Sequence, residues 1–147
     1  MDNFDLASSL RAVTSKFFKR LKKELRLEDV LKEEEDLNLT ELGTLAYLFN
    51  NGDAYPSELA EVEKVKAQSM SQVLNKLEGL QLIVKTPSEE DRRKIAISLS
   101  ANGRELIEKT RYQRDEWLAR AITTHLSAKQ KAVLEEAVTI LQTLANA

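Results

Sequence analysis

The stretch from Val65 to Leu99 constrains the fold more than any other. It reads VKAQSMSQVLNKLEGLQLIVKTPSEEDRRKIAISL. Met70, Val73, Leu74 and Leu77 step by three, one and three, which predicts one apolar face on a helix over Ala67 to about Gly79. The opposite face carries Gln68, Ser69, Ser71, Gln72, Asn75 and Lys76. Amides and hydroxyls both donate and accept hydrogen bonds, which reading base edges in a major groove requires. Two short strands are expected next, Leu82–Thr86 and Ile95–Leu99, around the charged turn SEEDRRK. Two arginines and a lysine on a projecting turn suit phosphates or a minor groove. Each feature alone is compatible with a solvated surface. In this order they predict a winged helix-turn-helix.

The flanking chain supplies the rest of that unit. Thr40 is the expected N-cap of a helix carrying Leu42, Leu45, Ala46, Leu48 and Phe49, which should stop at Asn50-Asn51-Gly52. Pro56 opens another helix, where a first-turn proline costs no hydrogen bond, and Leu59, Ala60 and Val62 are its packing residues. Glu63–Lys66 is the connector to the Ala67 helix. It contains no glycine, so the turn rests on spacing.

Helices also bracket this unit. Leu6, Leu10, Val13, Phe17, Leu21 and Leu25 predict a helix over Asp5–Leu27, and Glu28–Asp36 reads as a solvated connector. Ser100 should cap a long helix over Ala101–Thr124, with Leu106, Ile107, Thr110, Trp117, Leu118, Ala121 and Ile122 on its apolar side. Ser127 with Gln130 fits a capping box for a last helix striped by Val133, Leu134, Ala137, Val138, Leu141 and Leu144. Three amphipathic helices exceed what a small winged unit needs. Their economical use is a homodimerisation layer across a two-fold axis. The expected class is therefore mainly α (α+β), a winged helix-turn-helix with N- and C-terminal dimerisation helices. The whole chain, 1–147, reads as one domain, with 38–100 as the DNA-binding lobe and 1–27 and 101–147 as dimerisation helices.

Charge and composition narrow the function. The net charge of −2 gives no global signal for nucleic acid, but Lys64–Lys94 holds seven Lys/Arg against four Asp/Glu. A basic face on a mildly acidic body is compatible with DNA, because local potential acts at the phosphates. With no cysteine there is no disulfide, thiolate metal site or thiol sensor. No metal or cofactor is called for. No apolar run approaches a membrane span and no signal peptide opens the chain, so the expected location is cytoplasmic. The single histidine, His125, reads as a surface or capping residue beside a helix C-terminus. No phosphate-binding loop, dinucleotide fingerprint, zinc-protease motif or nucleophile elbow occurs, so an enzyme is not expected.

The chain resembles the MarR family of bacterial transcriptional regulators over nearly all its length. The matching pieces are Ser57-Glu58-Leu59-Ala60, the Ser69–Leu77 helix, Leu82-Ile83-Val84-Lys85, Asp91-Arg92-Arg93 and Leu99-Ser100-Ala101-Asn102-Gly103. Two departures stand out. Gln81 occupies the place of the family's usual glycine after the recognition helix, and Lys85 stands where arginine is common. The resemblance implies a homodimer that binds a pseudo-palindromic operator in double-stranded DNA, often released by a small ligand. It implies that Asp91 organises the wing tip and Arg93 enters the minor groove. Lys66, Gln68, Ser69, Ser71, Gln72, Asn75, Lys76, Asp91, Arg92, Arg93 and Lys94 are the candidate DNA-binding residues, with Lys66 and Lys76 cast on phosphates. Family members often bind small aromatics between lobe and dimer layer, for which Phe17, Tyr47, Tyr112 and Trp117 are candidates. A helical dimeric interaction module without DNA binding is the alternative, but it would need neither the polar helix face nor the arginine wing.

Overall fold

Capping residues set the helix boundaries in the computed structural model, which describes residues 1–24 and 37–147. Asp2 begins α1, Asn3–Lys23, by accepting from the Asp5 amide at 2.8 Å. The helix starts two residues before the sequence expectation. The expected end at Leu25–Leu27 and the Glu28–Asp36 connector lie outside the described residues. Asn38, not Thr40, caps α2, Leu39–Asn51. Its side chain accepts from the Glu41 amide at 2.9 Å, and Glu41 returns to the Asn38 amide in a reciprocal box. Thr40 therefore lies inside the first turn. Gly52, at φ 85°, ends the helix.

Pro56 opens α3, Pro56–Glu63, and α4 follows over Ala67–Gly79. Lys64 makes the turn between them by taking a left-handed conformation at φ 55°. That is why no glycine was needed there. Leu59 and Ala60 are buried on α3, whereas Val62 is exposed rather than packed. Strands β1, Ile83–Pro87, and β2, Ile95–Leu99, pair antiparallel with Ile83 opposite Leu99 and Pro87 opposite Ile95. The first strand is shifted one residue from its expected span. Ala54 adds a bridge to Ile97, with Ala54 N–H to Ile97 O at 3.1 Å and Ile97 N–H to Ala54 O at 2.8 Å. That bridge ties the wing to the loop between α2 and α3. Helices α5, Ala101–His125, and α6, Ala128–Ala145, complete the chain, and Ser127 and Gln130 form the expected capping box.

Two compact units result: Met1–Leu25 with Tyr112–Ala147, and Arg26–Arg111. Among the described residues, the buried apolar side chains all belong to the second. They include Leu37, Leu45, Leu48, Leu59, Met70, Leu77, Leu82, Ile97, Leu106 and Ile107. This is a complete core: α2, α3, α4 and the two-stranded wing close around it, and the first turns of α5 seal it. Among its described residues the first unit has none. Neither α1 nor α6 buries a residue, and Phe4, Leu6, Val13, Val133, Val138 and Leu144 are more than half exposed.

Gly103 lets α5 approach the wing. A Cβ there would lie 2.1 Å from the Leu82 carbonyl oxygen and 2.9 Å from Leu99 Cδ2. Ser100 locks the same corner: its hydroxyl donates to the Gln81 carbonyl at 2.6 Å and accepts from the Gly103 amide at 3.0 Å. No described helix is long and apolar enough to cross a membrane.

Candidate nucleic-acid interface

Helix α4 is fixed by burying Met70, Leu74 and Leu77, with Val73 half-buried beside them. Its opposite side is thereby turned outward. Gln68, Ser69, Ser71, Gln72 and Asn75 are all exposed, and exposed Lys66 is the N-cap residue. Gln68, Ser71, Gln72 and Asn75 recur at helical spacings of three and four and form one ridge. Ser69, Gln72 and Lys76 also border an open hollow of about 340 Å³ against Asn38, Thr40 and Glu41 at the start of α2.

Two members of this face have partners inside the lobe. Lys76 Nζ lies 3.0 Å from Glu41 Oε1 and 2.9 Å from Oε2, and the Glu41 side chain is only 4% exposed. Lys76 thus neutralises a buried carboxylate from α2. Asn75 Oδ1 accepts from Lys85 Nζ at 2.6 Å, and Lys85 also lies 3.7 Å from Glu78. Sequence reasoning missed Glu41 and Lys85, because each partner is distant in the chain. The one signal was Lys85 standing where arginine is common.

The wing tip is organised by Asp91. Its Oδ1 accepts from the Arg93 amide and from Arg93 Nε, both at 3.1 Å, and its Oδ2 accepts from a terminal Arg93 nitrogen at 3.2 Å. These bonds, from side chain first and backbone second, hold the Asp91 carboxyl below the usual aspartate range, and the Lys94 charge adds to them. A single partner, Arg93, thus both donates its backbone amide to Asp91 and pairs with its carboxylate. Arg93 is nonetheless 91% exposed, so its guanidinium is displayed rather than packed. Arg92 and Lys94 are exposed as well, Lys94 lying over the Tyr55 ring at 5.2 Å from its centroid. Below the tip, the Lys94 carbonyl accepts from the Ser88 amide at 2.8 Å, and buried Ser88 meets the Tyr55 hydroxyl at 2.7 Å.

A polar helix ridge and a displayed arginine on a two-stranded wing define a winged helix-turn-helix, and the comparisons agree. The family described as transcriptional regulator SarA/Rot matches residues 26–110. An HTH-type transcriptional regulator of Mycobacterium tuberculosis is 30% identical over 127 residues, 86% of each chain. The chain belongs to the MarR/SarA family of winged helix-turn-helix transcriptional regulators. A transcriptional regulator from Pseudomonas aeruginosa aligns with TM-score 0.81 and 29% identity over 99% of this chain and 97% of that one. MarR from E. coli shares the fold with TM-score 0.76 and 20% identity over 92% and 95% of the two chains. So does an S. aureus MepR mutant bound to an oligodeoxyribonucleotide, with TM-score 0.66 and 20% identity over 95% and 97%. The family is one of regulators, not of enzymes.

The regulator's four ligand candidates lie in different places. Tyr47 is half-buried in the lobe and its hydroxyl donates to Glu58 Oε2 at 2.5 Å. That bond, with burial and the nearby negative charge, pushes the phenol above its ordinary range. Phe17, Tyr112 and Trp117 belong to the helical unit; Phe17 and Tyr112 are exposed, while the Arg20 guanidinium covers the Trp117 ring at 4.4 Å. His125 is the exposed last residue of α5.

Proposed function

We propose that this regulator is a cytoplasmic homodimeric repressor that binds a pseudo-palindromic operator and is released by a small ligand. The observation that carries the DNA reading is the exposed ridge of α4, which presents only amide and hydroxyl groups between its lysines. A helix fits the major groove, and such groups discriminate base edges there. Gln68, Ser69, Ser71, Gln72 and Asn75 read bases. Lys66 and Lys76 serve phosphates, Lys76 while neutralising Glu41. Arg93 enters an adjacent minor groove, with Arg92 and Lys94 on the backbone beside it. The oligodeoxyribonucleotide held by the MepR mutant, which shares this fold, supports DNA as the partner.

The assembly follows from the exposed apolar faces of α1 and α6. Contiguous apolar surface on a folded chain marks an interaction site, and terminal helices pair readily across a two-fold axis. Segments 1–24 and 112–147 form that layer, and the DNA-binding lobe extends beyond the expected 38–100 to Arg111, because Leu106 and Ile107 belong to its core. Ligand release is assigned to aromatic side chains as candidate contacts for a small aromatic effector: Phe17, Tyr112 and Trp117 on the helical unit, and separately Tyr47 on the lobe. The test is a mobility shift on the DNA upstream of the protein's own gene, run at several salt concentrations. Sequence-specific retardation that weakens with salt supports the reading; equal retardation of random duplex removes it.

A further inference from the structure

We propose that Lys85 sets base preference at one operator position by fixing which edge of the Asn75 amide faces the DNA. The proposal rests on the DNA-reading role assigned to α4. The Lys85 ammonium carries only donors, so the Asn75 atom it meets at 2.6 Å has to be the carbonyl oxygen Oδ1. That leaves the two N–H donors of Nδ2 for the groove. A free asparagine can accept from adenine N6 and donate to N7 together, its usual bidentate pairing. An asparagine held by its oxygen presents donors and is matched to acceptors. Guanine O6 and N7, or thymine O4, offer those acceptors on the major-groove edge.

The arrangement is built to hold this orientation. Lys85 sits on β1 opposite Ile97, a strand position fixed by the wing ladder. Its side chain is only 24% exposed. Glu78, one helical turn beyond Asn75, lies 3.7 Å from the same ammonium and helps retain its charge. The wing therefore supports the recognition helix at a residue that meets the bases, and Lys85 is a positioning residue rather than a base contact.

The experiment selects bound duplexes from a library randomised across the operator, for the full-length unmodified protein and for Lys85→Met, Lys85→Thr, Lys85→Arg and Asn75→Ala. Thermal unfolding of each variant confirms that it is folded. Met keeps the stem without donors, and Thr suits a strand but cannot reach Asn75. The expected result is a guanine or thymine preference at one position per half-site that Asn75→Ala abolishes. Both Lys85→Met and Lys85→Thr shift that position toward adenine by about five-fold or more, and Lys85→Arg retains the original preference. In the Asn75→Ala background, Lys85→Met has no effect on base choice. Uniform weakening by Lys85→Met with every preference unchanged overturns the proposal while leaving the DNA reading intact. An adenine preference at the Asn75 position in the unmodified protein overturns it as well. Absence of any selected sequence for the unmodified protein removes the DNA reading, and this inference with it.

Discussion

Gln81 adopts φ 61°, a left-handed conformation that costs a side chain with a Cβ about 1–2 kcal/mol. The wing corner needs that angle, because the Gln81 carbonyl is held by Ser100 and the next residue begins the buried turn into β1. Gln81→Gly removes the strain at an exposed side chain and should stabilise the fold by about 0.5–1 kcal/mol after the added unfolded-state freedom. A rise in urea midpoint at constant slope would confirm it. Lys76→Ala strands the Glu41 carboxylate in the lobe, so it should lower stability by about 1–3 kcal/mol, in addition to any loss of a phosphate contact. Glu41→Gln with Lys76→Met should recover part of that stability, read by the same unfolding curves. At the wing, Arg93→Ala should cost more affinity on operators with A·T-rich flanks than on G·C-rich ones, since a narrow minor groove concentrates negative potential. Equal losses on both would reduce Arg93 to a phosphate contact. The Asp91 pairing carries a sign as well. Its carboxyl is held below the usual range, so the wing-tip bonds persist as pH falls through that range and break only as pH passes the lowered value. An NMR titration of Asp91 should give a low midpoint that moves back up in Arg93→Ala.

Elements differ in how far the sequence revealed them. Helix α4 and strand β2 occupy their expected spans, because each combines a clear period with a firm stop or start. Boundaries that depend on choosing between neighbouring caps were less legible. Asn38 and Thr40 both can cap, and Asn38 wins because Glu41 stands three residues later to close the box. The glycine-free turn before α4 was legible only as spacing, since nothing in the sequence marks Lys64 as the left-handed residue. The polar ridge of α4 could be read from periodicity alone. Its supports, Glu41 beneath Lys76 and Lys85 beside Asn75, could not, because 35 and 10 residues separate the partners. Gly103 shows the same limit, as its need comes from a carbonyl on a different element. Gly103→Ala should force the start of α5 away from β1 and cost about 1–3 kcal/mol, measured as a lowered thermal midpoint. Wing-dependent DNA affinity should fall with it.

The whole molecule divides its labour between a lobe with a finished core and a helical unit that has none. Apolar side chains on α1 and α6 remain exposed along their lengths, which a second copy would cover. Leu134→Asp with Leu141→Asp places two charges in that layer, each costing several kcal/mol when buried. Sedimentation should then show monomer where the unmodified protein shows dimer, while the lobe core still unfolds cooperatively. A two-fold dimer would also fix operator geometry: half-sites should be centred about 10 base pairs apart, or a multiple, so that both α4 helices meet the same face of the duplex. Whether the α4 ridge reads sequence is decided by operator selection with the unmodified protein and with Gln72→Ala, at fixed salt. The unmodified protein should select a two-fold related site, and Gln72→Ala should relax preference at one or two base pairs per half-site, with a loss of about 1–3 kcal/mol on the selected site. An unchanged preference at every position in Gln72→Ala would contradict base reading by that ridge.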